Sequence, residues 1–108
     1  MALRIGSLRA RLVLEVPAET PDGAGGVRRS FVAAATVWAR VETLRGQEGV
    51  YAGSPGQALT HRVTMRYRDG VDASMRLRLG SRLLAIRTVF DPQERGRALA
   101  CLCEEVSP

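Results

Sequence analysis

The sequence predicts an all-β domain: a small antiparallel barrel or sandwich of five to six strands, with a long loop and at most one short helical turn. Three observations carry this. Apolar and polar residues alternate with a period of two in several separate segments, which places successive side chains on opposite faces of a strand. Glycine, proline and aspartate cluster between those segments, where turns need them. No stretch sustains the 3.6-residue period of a long helix. Closing the sheet on itself, or stacking it in two layers, hides the strand edges that would otherwise invite aggregation.

The clearest strand lies in residues 59–68, LTHRVTMRYR. His61, Val63, Met65 and Tyr67 alternate with Arg62, Thr64, Arg66 and Arg68, so one face packs inward and the other carries three guanidinium groups. This strand is expected at the centre of the domain. Before it, residues 8–16 alternate Leu8, Ala10, Leu12 and Leu14 with Arg9, Arg11, Val13 and Glu15, and Pro17 is expected to end that strand. Residues 19–26, ETPDGAGG, form a turn or loop, in which Pro21 and Asp22 favour a tight bend.

A second strand is expected over residues 30–42. Three successive alanines suggest helix there, but Phe31, Val32, Thr36, Val37, Trp38 and Val41 favour extended chain, with a bulge or bend near Ala33 to Ala35. Trp38 is expected half-buried and packed on the core. Residues 43–58, TLRGQEGVYAGSPGQA, are the largest break in the pattern, with Val50 and Tyr51 as an apolar island among four glycines. A loop of that length in a small domain is usually functional or disordered. After the central strand, Asp72 is a candidate cap for one helical turn to Met75. Residues 76–79 and 82–90 then form a hairpin about Gly80 and Ser81, with Leu77, Leu79, Leu84, Ile86 and Thr88 alternating with arginines. Residues 91–96 are a turn. Residues 97–106 close the chain with Leu99, Cys101 and Cys103 on one face and Ala98, Ala100 and Leu102 on the other.

With 108 residues, of which 45% are hydrophobic and 25% charged, the chain has the length and composition of one globular domain. No apolar run reaches the roughly 20 residues that span a bilayer, and the N-terminal residues lack the apolar core of a signal peptide, so a cytoplasmic protein without a membrane is expected. The chemistry inventory is thin. Every one of the 16 basic residues is arginine, so no lysine is present for a phosphate loop, a Schiff base or a general base. His61 is the single histidine and has no ligand spacing around it, which makes it a structural residue rather than a metal ligand. Cys101 and Cys103, two apart on a strand, read as small buried hydrophobes. No G-x-S-x-G elbow occurs, and the carboxylates at Glu104 and Glu105, or Asp69 and Asp72, are expected in solvent. Neither catalysis nor a cofactor nor a metal is expected.

The net charge of +5 keeps a nucleic-acid reading open. Arg62, Arg66 and Arg68, followed by Arg76, Arg78, Arg82 and Arg87, could neutralise phosphates without reading bases. No aromatic residue interleaves with them as a stacking platform, so a sequence-reading or single-strand module is disfavoured. Arginine also forms forked pairs with carboxylates, so subunit interfaces are the competing use.

The order of these features resembles the phage head-tail joining proteins, also called head-tail adaptors or head completion (stopper) proteins. The resemblance rests on an early strand in RIGSLRARL, a glycine loop, ATVWARVETLRGQE, and the long segment from THRVTMRYRDG to ALACLCEEV. Its most specific pieces are Val37-Trp38-Ala39 with residues 44–48, Thr60 to Val63 with Arg66-Tyr67, and residues 86–92 leading to Leu102-Cys103. It implies a single β-barrel domain that forms a homo-oligomeric ring, in a virion or phage-like particle assembled in the bacterial cytoplasm. The partners implied are a portal or adaptor protein above, a tail terminator or tail tube protein below, and double-stranded DNA held non-specifically in the channel. Phage, prophage remnant and gene transfer particle are covered alike. By the same resemblance residues 43–58 project towards the channel, placing Arg45, Gln47, Glu48, Val50 and Tyr51 at the channel or a ring contact. Arg62, Arg66, Arg68, Arg76 and Arg78 are the corresponding candidates for a subunit interface or a DNA-facing surface. The rival expectation is a small basic nucleic-acid-binding β-barrel outside any virion.

Overall fold

A computed structural model describes residues 8–45 and 58–107. Within them lie six strands: β1 (Ala10–Pro21), β2 (Val27–Thr43), β3 (His61–Arg66), β4 (Arg76–Leu79), β5 (Arg82–Phe90) and β6 (Ala98–Val106). All pairings are antiparallel, and the hydrogen-bonded order β1-β2-β3-β6-β5-β4 closes because β4 pairs back onto β1. The all-β expectation is met, and closure selects the barrel over the sandwich. β3 lies between β2 and β6, but in a closed ring every strand has two neighbours, so it holds no central place as expected.

The interior is filled by the inward row of every strand, including Leu12, Leu14, Val37, Val63, Met65, Leu77, Leu84, Ile86, Leu99 and both cysteines. In β6 the other row is buried as well: Ala98, Ala100 and Leu102 are all at most 5% exposed. Ala100 lies in register between Thr64 and Phe90, and Leu102 between Arg62 and Thr88, so small or aliphatic side chains sit low between longer neighbours.

Two bulges adjust the alternation. The register between β1 and β2 shifts after Leu14, where Ala35 and Ala33 face Leu14 and Glu15 and leave Ala34 as the extra residue, inside the expected bend. The second lies between Ile86 and Thr88 on β5. It turns Thr88 outward, against expectation, and lets Val89 pack on the core. The β4–β5 hairpin turns at Gly80, whose φ of 62° is a left-handed value that a side chain resists. The segment after Asp72 makes one turn, with Met75 N donating to the Asp72 carbonyl at 3.2 Å and Ser74 N donating to Asp72 Oδ1 at 2.9 Å.

The largest departure is at the first hairpin. Pro17 does not end β1, which runs on to Pro21, and β2 begins at Val27 rather than residue 30. Among the described residues nothing pairs with the outer edge of β1 beyond Glu15, since β4 meets it only at Val13 to Glu15. A proline whose missing N–H would face an empty edge costs no ladder bond. The result is a hairpin arm that leaves the barrel and turns at residues 22–26. There Asp22 Oδ1 accepts from the N–H groups of Ala24 and Gly26, at 2.8 and 3.1 Å.

Candidate interaction site

The outer face of β1, β2 and β3 is built by parity. Ala10, Leu12, Val37, Ala39, Val63 and Met65 point inward, so Arg9, Arg11, Trp38, Arg40, Arg62 and Arg66 point out. Register brings Arg11 beside Trp38 and Arg40 beside Thr64. Trp38 is therefore 55% exposed, not packed in the core as expected, because its two neighbours already occupy the interior. Tyr67 is a second correction. Pairing to β6 stops at Arg66, so the inward row ends at Met65 and Tyr67 lies exposed, its hydroxyl bonded to Asp69.

The predicted arginines divide into two groups. Arg62, Arg66 and Arg68 are exposed and pair with none of the described acids. Arg76 and Arg78, across the barrel on β4, are held by Glu15: Arg76 Nε donates to Oε1 at 2.6 Å and Arg78 Nε to Oε2 at 3.0 Å. Arg76 also stacks over the Phe31 ring, 3.9 Å from its centroid. Burial of Glu15 opposes its charge, but the hydrogen bonds and charges of the two arginines outweigh that and hold its carboxyl below the usual carboxylate range. Arg82 and Arg87 likewise pair within the chain, Arg82 through two 2.9 Å bonds to Glu105 and Arg87 at 3.1 and 3.0 Å to Glu104. The last two carboxylates are thus ion-paired rather than merely solvated. Of the seven arginines read as one stripe, the fold leaves three on the open face; Arg11 joins them by its outward parity, and Arg40, also outward, is paired with Glu42 at 3.2 Å.

His61 is buried and fully partnered. Arg82 Nη2, which can only donate, lies 3.2 Å from His61 Nε2, so Nδ1 carries the proton and donates to Thr60 Oγ1 at 2.8 Å. Thr60 Oγ1 also accepts from Glu105 N at 2.8 Å. Burial and the nearby Arg82 charge lower the His61 pKa, keeping the ring neutral. Burial pushes the Cys101 thiol up to about 12 and Cys103 higher still. Both cysteines are free, as small buried hydrophobes should be. Among the described residues no group of three or more metal-binding side chains occurs.

The two ends of the long loop are pinned together, Leu44 N donating to the Thr60 carbonyl at 2.8 Å and Thr60 N to the Cys103 carbonyl at 2.8 Å. The segment between them leaves and returns at the end of β2 opposite the hairpin arm. Arg45 is exposed at its root. Gln47, Glu48, Val50 and Tyr51 lie outside the described residues. A cavity of about 620 Å³ opens where β2 runs past the end of β3, between Val37, Trp38, Tyr67 and Leu8, with Arg66 and Arg68 also lining it.

A barrel with this strand order, a pinned loop and no catalytic cluster among its described residues matches the profile of the phage head completion proteins over residues 3–106. The chain belongs to that family. It is accordingly a structural component of a phage or phage-like particle. Among solved structures, protein SF1141 from Shigella flexneri 2a is 28% identical, with a TM-score of 0.76 over 95% of this chain and 96% of that one. A chain in the virion of a native gene transfer agent particle is 29% identical, with a TM-score of 0.68 over 94% of this chain and 97% of that one. No curated protein matches.

Proposed function

We propose that copies of this chain form a ring at the head-to-tail junction of a phage or phage-like particle. The ring sits below the portal or adaptor and above the tail terminator or tail tube protein, and closes the DNA-filled head. Double-stranded DNA passes through, or is gated in, its central channel. Assembly takes place in the bacterial cytoplasm before the particle is released.

The observation that carries this reading is the rim at Leu44 and Thr60. The Leu44–Thr60 and Thr60–Cys103 hydrogen bonds bring the two ends of the glycine-rich sequence 46–57 to one defined point of the barrel. In a ring with that rim turned inward, the loops of all copies converge on the axis, where Arg45, Gln47, Glu48, Val50 and Tyr51 meet DNA or one another. Ring formation from one repeated contact requires a heterologous interface that closes. The exposed Arg62, Arg66 and Arg68 supply charge for it or for the DNA backbone, whereas Arg76 and Arg78 have part of their donor capacity taken by Glu15.

Cryo-electron microscopy of particles carrying this protein tests the reading. Density for a ring of barrels on the portal axis, with the loop rim facing the lumen, is the expected result. Absence of the protein from particles, combined with salt-sensitive DNA binding by the free chain, would replace it with the nucleic-acid-binding barrel.

A further inference from the structure

The hairpin arm and the cavity beside Trp38 are, we infer, the two halves of one contact: the arm of each copy docks on the cavity of the next. This rests on the ring proposed above and names the surfaces that join its copies.

The arm is a surface in need of a partner. Past the bulge at Ala34, β1 and β2 pair only with each other among the described residues, and most of the side chains there are exposed, including Val27 at 59% and Val32 at 48%, while Phe31 has Arg76 over one side of its ring. On one face register places Phe31 beside Pro17 and Val27 beside Pro21, an apolar row interrupted by the Glu19–Arg29 pair. A two-stranded ribbon is at best marginally stable in water unless another surface covers it. Its two edges also differ. Pro17 and Pro21 remove donors from the β1 edge, a device that discourages strand addition, while the β2 edge from Val27 to Trp38 contains no proline and, among the described residues, is open up to Ala39, which pairs with the end of β3 at Met65.

The cavity lies at the inner end of that open edge. Trp38 and Tyr67 are exposed apolar walls, and Arg66 and Arg68 are cations with no partner among the described acids. Glu19 on the arm is already paired with Arg29, and Arg28 and Arg29 balance its two acids, so the match to the cavity is chiefly apolar, with Asp22 at the turn as the one carboxylate left for these cations. Backbone hydrogen bonds from Ala24 and Gly26 lower the Asp22 pKa, so it stays ionised.

The arm cannot reach its own cavity. At about 3.3 Å per residue, Val27 stands roughly 35 Å along β2 from Trp38, and folding back would break the strand. An arm seated on this cavity therefore belongs to another molecule. A second copy fits because donor and acceptor are distinct surfaces of one chain, the arrangement that generates rings.

The test uses single-cysteine surface variants of the full chain, Val27→Cys and Tyr67→Cys, co-produced in particle-forming cells and oxidised in the purified particles. The native thiols are buried and do not compete. The expected result is a disulfide-linked dimer on a non-reducing gel only when both variants are present. The second pair, Pro21→Cys with Trp38→Cys, should behave alike, since Pro21 lies beside Val27 on the same face of the arm. A ring retained in the particles with neither pair cross-linking would overturn the arm contact and leave the ring reading standing. Cross-linking of Val27→Cys to itself would also overturn it, since that requires arms meeting arms. Loss of the ring itself in unmodified particles would remove the reading on which the contact depends.

Discussion

Glu15 shows at the scale of one residue how the fold converts a sequence of alternating arginines into structure. It is 7% exposed yet ionised, because Arg76 and Arg78 reach it from the neighbouring strand. Replacing it with glutamine keeps the shape and removes the charge, so two partly buried guanidinium groups lose their counter-ion. We expect Glu15→Gln to lower stability by about 1–3 kcal/mol, measured by urea unfolding at neutral pH. Its folded pKa lies below the unfolded one, so its contribution is present above about pH 4.5 and lost as pH falls through the folded value. The difference between wild type and variant should shrink in acid accordingly. His61 has the opposite charge type but also a lowered pKa. Protonation favours the unfolded chain, so stability should begin to fall below about pH 6.5, and a His61→Gln variant should lack that component. The thiols give a simpler test. Cys101, raised to about 12, and Cys103 should not react with a thiol reagent at pH 8 in the native protein, and both should react once it is unfolded. Fast native labelling would contradict their burial.

At the scale of elements, the barrel strands and the arm do different work. None of the core residues comes from residues 16–34, so the arm adds exposed surface rather than interior. Joining Ala18 to Ser30, which face each other in register, through an Asn-Gly turn should therefore leave the barrel folded. The thermal midpoint is expected to move by no more than corresponds to about 0.5 kcal/mol, with ring assembly lost. A collapse of the barrel on shortening would mean the arm stabilises its own chain. Four of the strands were legible in sequence to within a few residues, because alternation and the turn at Gly80 coincide there. The extent of the first hairpin was not legible. A proline reads as a stop until it is known that the edge it faces is empty, and only the β1–β4 pairing shows that.

For the whole molecule, the arm and the ends of the long loop lie at opposite ends of β2, so the proposed contact between copies and the proposed gate fall in separate regions. Replacing residues 46–57 with a short glycine-serine bridge should preserve the barrel, since the hydrogen bonds at Leu44 and Thr60 lie outside the cut. Particles built with that variant are expected to lose packaged DNA or fail to join tails, measured by DNA content and by counting tailed particles in micrographs. Particles that retain DNA and tails would show that the loop is not the gate.

Alternation, turn chemistry and the scarcity of catalytic side chains were determined by the sequence itself, because they depend on neighbours a few positions apart; they suffice for an all-β domain resembling the head completion proteins. Which arginines are available was decided only by the tertiary structure. Arg62 and Arg76 are alike in sequence, each alternating with apolar residues, but closure of the barrel sets Arg76 against Glu15 and leaves Arg62 in solvent. Trp38 faces outward because the side chains that fill the closed interior are chosen by pairing across strands far apart in sequence, and Tyr67 lies outside it because that pairing ends at Arg66.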